Sequence, residues 1–384
     1  MTDTRLRQSI AYFSVFFLLG AVISSLGPTI PGLAIQVGVE TTDLGMLFST
    51  RSFGYLFGSL LAGWMLDRTR GHTFLTLILL LLGLFLYLIP SLPYLFLLGA
   101  ALFVIGAGLG SMDVSSNTLL AVAHDTESGP YLNAMYLAAG VGSFLTPLYL
   151  GYVSLELAYF TLAILVIPII LWLLTTSSPR DAAQESQQIS PSINTTVVIL
   201  FALLAFLFVG LEVSYGGWIF TYYLERGIGP ESSAYTITSL FWMAITLGRL
   251  IGIPLSAHIK PGRMIITYLI GGVLSTALVL FLPKHNWSIW AGTAGIGLCL
   301  ATLFPTTFNY IQRTNDISSR LSGIVWSVGS AGGIILPLLI DWGFDGYGAR
   351  SMMFIVLAAW VLTLGIFFSL RRVNRDPIEI MNLG

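Results

Sequence analysis

Long apolar stretches alternate with short polar turns along almost the whole chain. A bilayer core about 30 Å thick takes roughly 20 apolar residues per crossing helix. Windows of that length predict spans at 10–32, 44–66, 73–91, 94–121, 130–152 and 157–176. Six more follow at 194–224, 232–257, 264–283, 288–312, 322–342 and 350–370. One polar stretch of low complexity, Thr175–Ser192, separates the two sets, and its Ser, Gln and Pro content reads as a flexible linker. The pattern predicts an all-α integral membrane protein. Its parts are an N-terminal six-helix bundle over 1–176, a linker over 177–193, and a C-terminal bundle with a short tail over 194–384.

Composition sharpens the picture by exclusion. Of 384 residues, 55% are hydrophobic and 9% charged, with a mean hydropathy of +0.86, which leaves no room for a soluble catalytic domain. A net charge of −1 gives nucleic acid no footing. Of the 17 Lys and Arg, twelve fall on one side of the predicted topology: Arg5, Arg7, Arg68, Arg70, Arg180, Lys260, Arg263, Arg313, Arg320, Arg371, Arg372 and Arg375. Arg226, Lys284 and Arg350 fall on the other side, and Arg51 and Arg249 lie inside spans. The positive-inside rule then places both termini in the cytoplasm and the protein in the plasma (cytoplasmic) membrane. Arg5 and Arg7 before an apolar run imitate a secretory signal, but Pro28, Pro31 and eleven later spans favour an uncleaved first helix. The lone Cys299 excludes an internal disulfide. His72, His124, His258 and His285 fall in loops or at span ends and are expected to be solvated, with no metal-ligand spacing. No nucleophile–base set survives the topology, so neither an enzyme nor a cofactor is expected.

The two halves align with each other. Gly20-x-x-x-Ser24-x-x-Gly27 matches Gly210-x-x-x-Ser214-x-x-Gly217, and Gly142 with Pro147 matches Gly332 with Pro337. Gly54-x-x-x-Gly58 echoes Gly248-x-x-x-Gly252. Three ordered matches at nearly one offset point to a duplicated six-helix unit.

Gly63-Trp-Met-Leu-Asp67-Arg68, at the turn between the second and third spans, resembles the G-x-x-x-D-R signature of the major facilitator superfamily. The chain continues Thr69-Arg70-Gly71-His72, where the family reads x-G-R-R/K. With twelve spans and a central linker, the resemblance covers the full length. It implies the major facilitator fold, twelve transmembrane helices in two pseudo-symmetric bundles. It also implies that Gly63, Asp67 and Arg68 latch the cytoplasmic ends together when the cavity faces outward. Further segments resemble the fucose permease and sodium-dependent glucose transporter branch. They are Gly106-x-Gly-x-Gly-x-x-Asp113-x-x-x-Asn117, Leu132-Asn133, Glu212-x-x-x-Gly216-Gly217-Trp218 and Gly248-Arg249-x-x-Gly252.

Charge inside a bilayer costs roughly 2.5–3.5 kcal/mol per residue on insertion scales. Arg51, Asp113, Glu212 and Arg249 bear that cost. Either they neutralise one another as structural ion pairs, or a carboxylate binds a coupling ion; the desolvation cost of purely structural pairs favours the second reading. Arg249 lies about 16 Å along its helix from Lys260, at the depth of Glu212, so those two are expected to pair. Arg51 and Asp113 form a second candidate pair. Gly106, Gly110, Asp113 and Asn117 share one face of the fourth span. Its Gly-x-Gly-x-Gly run sits mid-span and reads as packing rather than a nucleotide loop. Glu212 and Tyr215 precede Gly216-Gly217, where the helix is expected to break beside a cavity. Pro305 is expected to kink the tenth span.

The resemblance implies a central opening lined by spans one, four, seven and ten, flanked by five, eight and eleven. Asn117, Asn133, Tyr136, Tyr215, Trp218, Trp242, Asn309 and Trp326 are then the candidates for solute contact. Amides pair with sugar hydroxyls and an indole covers a sugar's C–H face; the competing reading makes the tryptophans core or interfacial anchors. The expected function is a secondary transporter for a small polar solute, a sugar above all, by alternating access with protons or sodium. Its expected partners are that solute, the ion and the lipid bilayer, and it is expected to be a monomer. The alternative is a proton-coupled exporter of drugs or amphipathic molecules. The exporters' glycine–proline signature is poorly matched, since Gly140 and Gly142 stand apart from Pro147. A membrane receptor or scaffold is disfavoured because no soluble domain is present.

Overall fold

The computed structural model describes residues 2–179, 195–283, 285–312 and 319–374. Among them, six helical segments precede the linker: α1 (Thr2–Val37), α2 (Gly45–Leu66), α3 (Gly71–Leu88), α4 (Leu95–His124), α5 (Ser128–Leu150) and α6 (Leu155–Thr175). Six follow it: α7 (Thr195–Glu225), α8 (Glu231–His258), α9 (Pro261–Phe281), α10 (Asn286–Gln312), α11 (Ser319–Tyr347) and α12 (Arg350–Val373). No strand occurs among the described residues. The residues 180–194, which include most of the expected linker, lie outside them, as do Lys284, Arg313 and Arg375.

Ten of these segments are long and apolar enough to cross a membrane. The other two, α2 and α5, have sufficient length and are more polar. In α2 the cause is Arg51 with Ser49, Thr50, Ser52 and Ser59; in α5 it is Asn133, Ser143, Thr146 and the glycines. Two helices are interrupted for one shared reason. In α6 the break falls at Leu165, just past the residue four before Pro168, and in α10 at Ala301–Thr302, beginning four before Pro305. A proline has no N–H for the carbonyl four residues back and crowds it, so the ladder opens there. By contrast, α7 runs unbroken through Gly216-Gly217, so the break expected there is absent.

The chain forms two compact units, one of Met1–Gln184 with Gly216–Met243, the other of Glu185–Tyr215 with Ala244–Gly384. In the first, α1 crosses α5 and α2 crosses α4 at glycines. A Cβ on Gly20 would strike the Ala139 carbonyl, and one on Gly142 the Phe17 carbonyl. Gly54, Gly58, Gly106 and Gly110 meet the carbonyls of Phe103, Ala107, Arg51 and Tyr55 in the same way. The second unit repeats the device. Gly332 faces the Phe206 carbonyl and Gly210 the Gly332 carbonyl, while Gly248 approaches Leu298 and Ala301 and Gly252 approaches Thr302. The glycine matches between halves are therefore equivalent helix crossings, where only a missing side chain lets backbones meet.

One end of the first unit carries the α2–α3 turn and the exit of α6. The far end carries residues 38–44, 92–94 and 151–154. There the segment 216–243 packs on α1, α2 and α5. Gly27 meets the Gly217 backbone, Trp218 lies against Phe48 with ring centres 5.4 Å apart, and Ser239 donates a hydrogen bond to the Phe144 carbonyl. Tyr235 covers Gly151 and meets Phe220 in a tilted contact, ring centres 4.7 Å apart.

Candidate functional site

In the first unit, Asp113 sits on α4 with each carboxylate oxygen engaged. Asn117, one turn on, donates from Nδ2 to Oδ1 at 2.7 Å, and Tyr55 of α2 donates its hydroxyl to Oδ2. Asn117 also donates to the Asp113 carbonyl at 3.0 Å. The glycines of α4 bring α2 close enough for this, since Gly110 lies on the Tyr55 carbonyl. All three side chains are half-buried.

Arg51 does not complete this group. It is buried, donates from Nη1 to the Ile23 carbonyl at 2.9 Å and lies 5.9 Å from the Phe48 ring centre. Tyr159 of α6 is within electrostatic reach, its hydroxyl 3.0 Å from Thr29 Oγ1. The expected Arg51–Asp113 pair is thus replaced by two separate arrangements. Asp113 accepts from Tyr55 and Asn117, while Arg51 donates to a carbonyl beside a ring and a phenol.

In the second unit, Arg249 of α8 and Glu212 of α7 form an ion pair at 3.6 Å, as their shared depth predicts. Its side chains retain 35% and 33% exposure. Tyr215, one turn past Glu212, is fully buried with its hydroxyl 2.8 Å from Thr293 Oγ1 of α10. Thr302 and Thr306 of α10 are buried and Asn309 is exposed.

The aromatic candidates divide by burial. Trp218 is fully buried and Trp242 nearly so, the latter packed on Phe241 and over Gly216. Tyr136 meets Phe16 edge-on at 5.3 Å, while Asn133 is exposed. The Trp326 side chain lies outside the described residues. Gly63, Asp67 and Arg68 are exposed, and Arg68 folds back on its own helix, donating to the Trp64 carbonyl at 2.9 Å and lying 4.2 Å over that ring.

Sequence reasoning missed Tyr55, although it stands one turn from Arg51, and Tyr159 and Thr293, which offer no charge to single them out. It also misjudged two histidines. His258 and His285 are exposed as expected, but His72 and His124 are buried. His72 bonds Tyr12 at 2.8 Å and the Thr176 carbonyl at 2.9 Å. His124 bonds Ser9 at 2.7 Å and stacks on Tyr131 at 3.6 Å. Lying at the ends of spans, both are covered by the start of α1.

The model of the Major Facilitator Superfamily matches residues 12–337. The chain belongs to that superfamily. Among its relatives, the Xenopus laevis protein named sodium-dependent glucose transporter 1 is 27% identical over 93% of this chain and 81% of its own. The crystal structure of a D-xylose-proton symporter superposes with a TM-score of 0.79 at 11% identity, over 96% of this chain and 98% of that one. That of the nucleoside transporter NupG gives 0.72 at 12% identity, over 97% and 100%. This member of the superfamily is an integral membrane transporter with the all-α major facilitator fold. Two of its in-span carboxylates, Asp113 and Glu212, meet different partners. Glu212 pairs with Arg249, and Asp113 accepts from the Tyr55 hydroxyl and the Asn117 amide.

Proposed function

We propose that the protein is a secondary active transporter that carries a sugar across the plasma membrane, driven by protons or sodium. The observation that carries the reading is Asp113, a half-buried carboxylate that accepts hydrogen bonds from Tyr55 and Asn117 amid apolar spans. A carboxylate placed among apolar spans is costly to keep charged, which suits a group that binds a coupling cation. The name of the Xenopus laevis relative supports a sugar and an ion. The 12-to-3 excess of Lys and Arg supports cytoplasmic termini. We assign the bundles to 1–176 and 194–384, joined by a cytoplasmic linker, and a monomer as the working form. The working site comprises Asp113, Glu212, Arg249 and Arg51 for coupling, with Asn117, Asn133, Tyr136, Tyr215, Trp218, Trp242, Asn309 and Trp326 for the solute. Gly63, Asp67 and Arg68 form the latch, which is disengaged when the far end of the first unit is packed shut. No enzymatic step is assigned.

Uptake of radiolabelled hexoses into proteoliposomes under imposed proton or sodium gradients tests the reading. One gradient should drive accumulation, and Asp113→Asn or Glu212→Gln should abolish it. Alanine at Asn117, Asn133 or Asn309 should weaken sugar binding far more than binding of a lipophilic cation, because an unpaired amide costs about 1–3 kcal/mol. Gradient-driven export of the cation with no hexose accumulation would replace the sugar symporter by a drug exporter.

A further inference from the structure

We infer that His72 is a proton-sensitive clasp, which holds the Tyr12 turn of α1 against α3 and α6 while its imidazole is neutral and releases it when the ring takes up a proton. The bonding fixes which nitrogen is bare. Nδ1 lies 2.9 Å from the Thr176 carbonyl, which can only accept, so Nδ1 carries the hydrogen. Nε2 is then an acceptor, and the Tyr12 hydroxyl donates to it at 2.8 Å. A proton arriving from water adds to Nε2 and makes the ring a cation with two N–H donors. The new N–H must donate to the Tyr12 oxygen, and the tyrosine's own hydrogen loses its acceptor. Tyr12 is fully buried, so water does not replace that acceptor while the clasp is closed. Release of the turn restores water to both groups. Neutral imidazole thus favours the closed clasp and imidazolium the released one. Closure holds above the ordinary histidine range, near about pH 6.5, and is lost as the pH falls through it.

His124, the other buried histidine, is wired the opposite way. Ser9 donates its one hydrogen to the Arg5 carbonyl at 2.9 Å, so at 2.7 Å it accepts from His124 Nε2–H. That bond survives protonation, because Nε2 donates in either state. The elements packed around His72 bring it no counter-charge. From α6 come the carbonyls of Thr176 and Leu173. From α4, Leu119 lies against the neighbouring Gly71. Asp67, Arg68 and Arg70 of the preceding turn are exposed, and Arg5 and Glu127 lie within electrostatic reach of His124 instead. No ion pair reaches His72 among the described residues. Along the same seam, the Gln8 amide donates to the Ser177 carbonyl at 2.8 Å and Trp172 donates to the Arg7 carbonyl at 2.9 Å. Neither bond involves a titrating group, so the acid response is confined to the turn that carries Tyr12. On the topology proposed above this end meets the cytoplasm, and cytoplasmic acid is what the clasp reads.

The test is the distance between two spin labels on cysteines placed at Ile10 and Leu174, both exposed, in detergent-solubilised protein carrying Cys299→Ala. One narrow distance is expected at about pH 8, and at about pH 5 a longer population should grow about tenfold, the scale of one buried hydrogen bond. His72→Gln offers an N–H donor and a carbonyl acceptor without titrating, so it should keep the narrow distance at both values. Tyr12→Phe removes the hydroxyl and should show the longer population already at the higher pH. His124→Gln should respond to acid as the wild type does. A wild-type acid response in His72→Gln or Tyr12→Phe overturns the clasp. Release at both pH values in His72→Gln reduces the histidine to a strut and overturns the sensor. Loss of the response in His124→Gln overturns its assignment to His72. A cysteine at Leu6 that reacts with an impermeant maleimide from outside intact cells overturns the cytoplasmic placement and leaves the clasp standing.

Discussion

Removing one half of the Glu212–Arg249 pair leaves the other half charged inside a membrane-spanning unit, and the geometry sets the size of the effect. At 3.6 Å, two unit charges attract by about 4.6 kcal/mol at an effective dielectric of about 20, and by about 1.2 kcal/mol in water. About a third of each side chain is exposed, so water screens the pair and the lower part of that range applies. A coupling of about 1–2 kcal/mol is expected, between a surface pair and a buried one. The assay is a double-mutant cycle of Glu212→Gln, Arg249→Gln and the double variant, unfolded by SDS in mixed micelles. Each single change should destabilise more than the double change does, because only the singles leave an uncompensated charge. Effects that add to within about 0.3 kcal/mol, as independent sites do, would refute the pairing.

Two further expectations concern packing. Gly142→Leu and Gly332→Leu should destabilise their units alike, by upwards of about 3 kcal/mol in the same unfolding assay, since each side chain would enter a facing carbonyl. Gly63→Ala, with no atom within 4 Å of the added carbon, should be neutral or stabilising by up to about 1 kcal/mol. Trp218→Ala should cost about 3–5 kcal/mol and open the far end of the first unit. A cysteine placed at Phe48 should then react with a membrane-impermeant maleimide, while the same cysteine beside an intact Trp218 stays protected.

What a sequence reveals of such a protein follows from which forces act locally. Span positions are legible because the bilayer imposes one length and one polarity on every crossing, whatever the neighbours. The two less apolar spans, α2 and α5, are ones whose glycines meet the backbones of other helices. The glycine offsets are legible too, because a backbone crossing leaves no room for a side chain and both halves cross the same way. Partner choice is not local. A charge in a span announces that something must compensate it, and Glu212 with Arg249 satisfied the simplest expectation. Arg51 and Asp113 did not pair with each other: Arg51 donates to the Ile23 carbonyl beside Phe48, and Asp113 accepts from Tyr55 and Asn117. His72 and His124 were misplaced for a related reason. Their cover comes from Tyr12 and Ser9 near the start of α1, 60 and 115 residues away in the sequence. Gly216-Gly217 shows the same ambiguity in the backbone. A glycine pair permits either a broken helix or a close approach. With Gly27, Phe48 and Trp242 pressed against it, the pair serves close approach here and α7 stays helical.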